Sequence, residues 1–457
     1  AAWLYAHGLN PPSLWLDDQW VALIVSRMSW GEYFALKPPT PMGFTALLNL
    51  AAAMGDDPEH SLQIVPFVCA VLCVPAMALL AWRVTGLRCA GLLAAAVLLV
   101  TPARADDAGR ATQHGGDVLA TIVLLHLAVP LLREWSWRRG AVFAAAGIVA
   151  LLFSFPSIFI SAAAMHVAVL AAVLRRQDGL RAVAVAAAFD ALLLGVYLLM
   201  LRGQGGGAMH AYWQPHFMPT DSARDVMAFV RDAFAAGLVA GVLPAGPVRV
   251  AAVLLVVGGV TMLVRPQTRW LGVAALLVYL ELLAAAAVGR YPLGMPRTDM
   301  FSYPLSALLM VGGIAAAVRG SRGRAAVSIA CSALAVTLVA GYWQPSRYMP
   351  SEEARPSDGQ TAVVRDAAII AQLQATMRAD DALVPSRRLR SRVLRRLARA
   401  LRGRAAFRPR LCGACGARPD VDAAGSRGGG GRAGRLGCGR GQPARPATVT
   451  RVFPCDQ

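Results

Sequence analysis

Apolar residues in this chain fall in long unbroken runs instead of recurring at every second position, as in a half-buried strand, or at every third to fourth, as in a surface helix. A run with no wet face belongs in lipid. A helix crossing a hydrocarbon layer about 30 Å thick, at about 1.5 Å per residue, needs roughly 17 to 25 mostly apolar residues. Such runs lie near residues 62–82, 87–103, 116–133, 140–153, 157–174, 182–201, 247–264, 270–288, 302–318 and 325–342, the fourth being short. The expected fold is all-α, a polytopic transmembrane helix bundle with about ten spans. At 56% hydrophobic and 16% charged, the composition agrees.

A formal charge of +19 suggests nucleic acid until it is located. From Ser386 onward there are eighteen arginines against Asp420, Asp422 and Asp456, a net +15, which leaves the membrane body nearly neutral. No nucleic-acid partner is expected. Residues 386–457 are rich in Arg, Gly, Ala and Pro with no periodic apolar face, and two readings fit them. They are a disordered tail, or the product of a shifted frame in GC-rich coding DNA, as the single lysine, Lys37, also suggests. Cys412 and Cys415 make one C-x-x-C without the regular second pair of a zinc site. Cys69, Cys73, Cys89 and Cys331 lie in or beside apolar runs, where a thiol packs as a small hydrophobe.

Arginines sort onto alternate connections: Arg83 and Arg88; Arg133, Arg138 and Arg139; Arg175, Arg176 and Arg181; Arg265 and Arg269; Arg319, Arg322 and Arg324. By the positive-inside rule these five loops are cytoplasmic. The segment before residue 62, residues 104–115, 202–246 and 289–301, and everything after 342 then face outside. Residues 346–385 read as the start of an outer segment. Ala1 to Gly8 reads as the end of something already outside, so an eleventh, preceding span is expected in the intact protein.

The first outer loop, residues 1–61, is more than a linker. Residues 17–34 hold Val21, Ile24, Val25 and Met28 at helical spacing, and residues 41–54 read as a second, Leu-rich helix. Both are expected to lie in the interface, where Trp15, Trp20 and Trp30 favour that depth. Prolines between them keep residues 37–41 out of a helix.

The run Pro12-Ser13-Leu14-Trp15-Leu16-Asp17-Asp18 resembles the first-loop Leu-Trp-x-Asp-Glu signature of GT-C glycosyltransferases, the superfamily of bacterial protein mannosyltransferases and lipid A aminoarabinose transferases. Later features resemble the same family in the same order over roughly residues 9–345. They are the Pro-rich segment with its Leu-rich helix (38–50), the entry to the next span (61–66), a second outer motif (101–117) and a late outer motif, Gly289-Arg290-Tyr291-Pro292 with Arg297. At the second motif Gln113 and Asp117 match, whereas Arg110, Thr112 and His114 stand where the family commonly has Glu, Lys and Tyr. Either Asp106 and Asp107 substitute, or this is an altered or catalytically impaired member.

The resemblance implies transfer of a sugar from a polyprenyl-phosphate donor to an acceptor hydroxyl, with inversion, at the outer face of a bacterial inner membrane. The acceptor is a protein, a lipid or a polysaccharide. Such chemistry needs a base for the acceptor proton, and Asp17, beside Asp18, is the candidate. It also needs positive charge for the leaving phosphate. Lys37, Arg290, Tyr291 and Arg297 are candidates, with Arg110 from the second motif, and a divalent metal held by Asp17 and Asp18 would do the same work. Asp106, Asp107, Gln113, His114 and Asp117 complete the candidate set.

Each choice has a plainer counterpart. Adjacent acids also favour a helix amino terminus through its dipole, so Asp17 and Asp18 fit that role too. Asp190 and Glu281 lie inside spans, where acids mark function by default, and they suggest a proton-coupled transporter as the rival. No internal repeat of the transporter kind is visible. His126 and His166 read as packed or hydrogen-bonded within the bundle.

Overall fold

The computed structural model of the chain describes residues 16–55, 58–101, 107–202, 210, 212–235, 248–316 and 320–342. The chain divides into two units, Ala1–Arg355 and Pro356–Gln457, and the second lies wholly outside the described residues, as does the tail from Ser386. Among the described residues there is no strand, and a helix covers most of each of the ten apolar runs.

The bundle is built from α4 (Pro58–Thr85), α5 (Arg88–Leu99), α6 (His114–Arg133), α7 (Trp137–Phe153), α8 (Ser157–Leu174), α9 (Gly179–Val196, continued by a π turn to Leu201), α11 (Val248–Val264), α12 (Arg269–Ala287), α13 (Tyr303–Ala316) and α14 (Gly320–Tyr342). Five stretches are long and apolar enough to cross a membrane: Ser61–Thr85, His114–Arg133, Ser157–Leu174, Gly179–Leu201 and Arg269–Ala287. Among the described residues, Arg88–Leu99, Ala251–Val264 and Ala325–Ala340 are shorter apolar helices. The 12 residues of α5 rise about 18 Å, well under the hydrocarbon thickness.

Close helix crossings hold the bundle together where side chains are small. Gly258 of α11 and Gly313 of α13 face each other so tightly that a Cβ on Gly258 would strike the Leu309 carbonyl and one on Gly313 would strike Gly258. In lipid, where the hydrophobic effect does not drive helices together, such backbone approach is a main source of cohesion. Toward one end, arginines tie helices by their carbonyls. Arg83 donates to His126 O at 3.4 Å, Arg133 to Arg83 O at 3.2 Å and Arg175 to Arg133 O at 2.6 Å, joining α4, α6 and α8.

At the other end sit the first-loop helices, and here the expected single helix over 17–34 is corrected. It breaks at Met28 and Ser29 into α1 (Leu16–Arg27) and α2 (Trp30–Leu36). Ser29 is extended and accepts the Glu32 N–H, while the Glu32 side chain accepts from the Ser29 backbone, a capping box that starts a new helix. The next helix, α3 (Met42–Met54), matches its expected range. Val21 and Val25 of α1 are buried with Phe44, Leu48, Leu62 and Ala111, so this layer packs onto the bundle end instead of lying free.

Candidate functional site

Asp17 and Asp18 stand in the first turn of α1, where the helix dipole favours acids. The Asp17 side chain lies outside the described residues. Asp18 is 1% exposed. An acid serving only the dipole gains as much in water, whereas a buried carboxylate loses its hydration and needs specific surroundings. Asp18 precedes Val21 and Ala22 by one turn, on the face that packs with Ala111 of the second outer motif.

That motif leads into α6. His114 opens the helix and Asp117 lies in its first turn, with His114 Nδ1 at 3.5 Å from Asp117 Oδ2. Asp107, also buried, accepts the Thr112 hydroxyl at 3.2 Å, and Arg297 Nη2 reaches its Oδ1 at 3.6 Å. Ser154, at the end of α7, lies beside Asp117. The structure therefore brings Asp107, His114 and Asp117 of the second motif together with Arg297 of the late motif.

The late motif is a compact turn. Its 3-10 helix, Thr298–Ser302, follows Gly294, whose φ of +91° suits glycine and whose Cα lies against Ala233 at the end of the amphipathic helix α10 (Ala223–Ala233). The Gly294 N–H donates to Asp299 Oδ2 at 2.8 Å, the Tyr291 hydroxyl to Thr298 O at 2.6 Å and the Tyr303 hydroxyl to Pro296 O at 2.7 Å. Phe159 of α8 packs against both Tyr291 and Phe301.

Asp299, fully buried, has its carboxyl pushed up to about 7 by desolvation, and its Oδ1 has no hydrogen-bond partner within 3.5 Å. Burial, with the charges of Asp299 and Asp117 nearby, holds the Tyr291 phenol well above its ordinary value. Asp299, Thr112, Ser154 and Tyr303 were not among the sequence candidates. For Asp299 the signal was present, an acid two residues past Arg297 at the threshold of an apolar run.

The Lys37 ammonium donates to the Arg202 carbonyl at 2.9 Å and the Leu198 carbonyl at 3.4 Å, closing the end of α9. Arg290 is exposed, and its N–H donates to Ala285 O. Arg110 and Gln113 are half-buried in the turns before α6. Asp106 lies outside the described residues. Among the described residues no three His, Cys, Asp or Glu side chains gather as a metal site, and Arg297 brings a guanidinium to this cluster.

Two intramembrane expectations also meet the structure. His126 Nε2 sits 3.0 Å from Ala76 O inside the bundle. His166 is hydrogen-bonded at 3.2 Å to Asp190 of the neighbouring helix, but the pair is half-exposed, on the outward surface of α8 and α9.

An apolar groove of about 720 Å³ runs between α4, α5 and α14, lined by Val74, Leu92, Leu99 and Val339. Leu99 packs with Ala108, the neighbour of Asp107. No family model, curated protein or solved structure gives a significant match to the chain.

Proposed function

We propose that the chain is a GT-C-like membrane glycosyltransferase, moving a sugar from a polyprenyl-phosphate donor to an acceptor hydroxyl at the outer face of a bacterial inner membrane. The observation carrying this reading is the meeting of Arg297 with Asp107, His114 and Asp117 at the bundle end onto which α1 packs. The adjoining apolar groove supports it, since a lipid-linked donor needs an apolar track that ends at polar groups.

In the step itself, Asp17 takes the acceptor proton as the acceptor oxygen forms its bond to the anomeric carbon. The bond from that carbon to the phosphate oxygen breaks, and the pair leaves with the lipid phosphate. A single displacement inverts the configuration. Arg297 bears the charge that develops on the leaving phosphate, which is worth most where water is excluded. His114 and Asp107 hold the neighbouring polar wall, and Tyr291 stays neutral with its hydroxyl donated to Thr298 O.

The transporter rival needs acids that relay protons through the interior. Of the two acids it rests on, Asp190 faces outward with His166, which counts against a relay, whereas Glu281 of α12 is half-buried. Proteoliposomes carrying the full chain decide between the two. With a radiolabelled sugar on polyprenyl phosphate and acceptor-bearing membranes, transfer and free lipid phosphate should rise together. Solute flux with no lipid-linked donor, and no transfer with it, would select the transporter.

A further inference from the structure

His166 stands midway along Ser157–Leu174 and Asp190 midway along Gly179–Leu201, two of the stretches able to cross a membrane. Their side chains are 45% and 47% exposed. At the middle of a bilayer that exposure would set an ionisable pair against acyl chains, where intramembrane acids almost always turn inward or meet protein. Something polar therefore covers them. The helix bearing Asp190 has room for a cover, because only 17% of its apolar window is buried, against 67% for α6.

We infer that this face of α8 and α9 binds a second copy of the chain. The charge pattern selects that occupant. The pair is a dipole with both ends at one depth, and a two-fold axis along the membrane normal sets His166 of one copy opposite the partner's Asp190, and the reverse. Each acid then gains a second donor, and the ring of four closes without a further group. Beside Asp190, Ala187, Ala191 and Gly195 recur at four-residue spacing on the exposed side, and nothing lies within 4 Å of where a Gly195 Cβ would sit. Small residues alone line many lipid-facing helices. Next to the polar pair, they let a second backbone come close enough for the hydrogen bonds to form.

The test uses purified full chain labelled with donor and acceptor fluorophores, reconstituted in liposomes over a dilution series. Energy transfer that persists on dilution is expected for the wild type. Gly195→Leu, whose Cβ meets no atom within 4 Å in the single copy, is expected to weaken association roughly tenfold at an unchanged unfolding midpoint. A wild type that is monomeric at every density overturns the proposal and leaves the face to another segment of this chain or to a different protein. Equal association of Gly195→Leu and wild type overturns this face as the interface. Should Gly195→Leu lose its fold, a cysteine placed by Ala187→Cys decides: new disulfide-linked dimers on oxidation support the interface, and their absence overturns it.

Discussion

Asp17→Asn is expected to lower sugar transfer by roughly two to four orders of magnitude, the range that a positioned general base supplies. Asparagine keeps the size and the polar oxygen and removes the basicity, so insertion and folding should survive. The plainer role predicts something different. An acid that only complements the α1 dipole contributes about 0.3–1 kcal/mol of stability and nothing to turnover. Initial rates in proteoliposomes, at matched amounts of folded protein, separate these outcomes. Full residual activity in Asp17→Asn would remove this residue from the mechanism.

The second large effect concerns the scaffold. Gly258→Ala puts a Cβ into the Leu309 carbonyl, which is backbone and cannot turn aside, so α11 and α13 must separate. A cost on the order of 3 kcal/mol or more is expected, at the upper end for overpacking. Gly259→Ala is the control, because no atom lies within 4 Å of its added Cβ. There the change should stay within about 1 kcal/mol and favour the helix, since alanine is the better helix former. Thermal unfolding of the two variants in one detergent makes the comparison. Similar midpoints would mean that the Gly258 and Gly313 crossing does not hold the bundle.

The helices were legible because lipid imposes length and apolarity together, and a run such as 157–174 carries both signals to its ends. Much else was not. A helix apolar on all sides has no periodicity to tell its lipid face from its packed face, so nothing in the sequence placed His166 outward. The break at Ser29 was written in Ser29-x-x-Glu32, yet the apolar spacing of Val21 to Met28 masked it. Lys37 looked available to a phosphate only because its carbonyl partners, Leu198 and Arg202, lie far off in the chain. The cluster joining Asp107, His114 and Arg297 depends on the start of α6 meeting a 3-10 turn that begins at Thr298. The arginine pattern leads one to expect both motifs on one side of the membrane; their contact comes from packing.

The proposed function requires this end of the bundle to bind a lipid-linked phosphate. Photolabelling the reconstituted chain with a polyprenyl-phosphate analogue that carries its reactive group next to the phosphate tests it directly. Adducts are expected within residues 107–117 and 289–301, and are lost in Arg297→Ala. Adducts confined to the opposite end, around Arg83, Arg133 and Arg175, would contradict it.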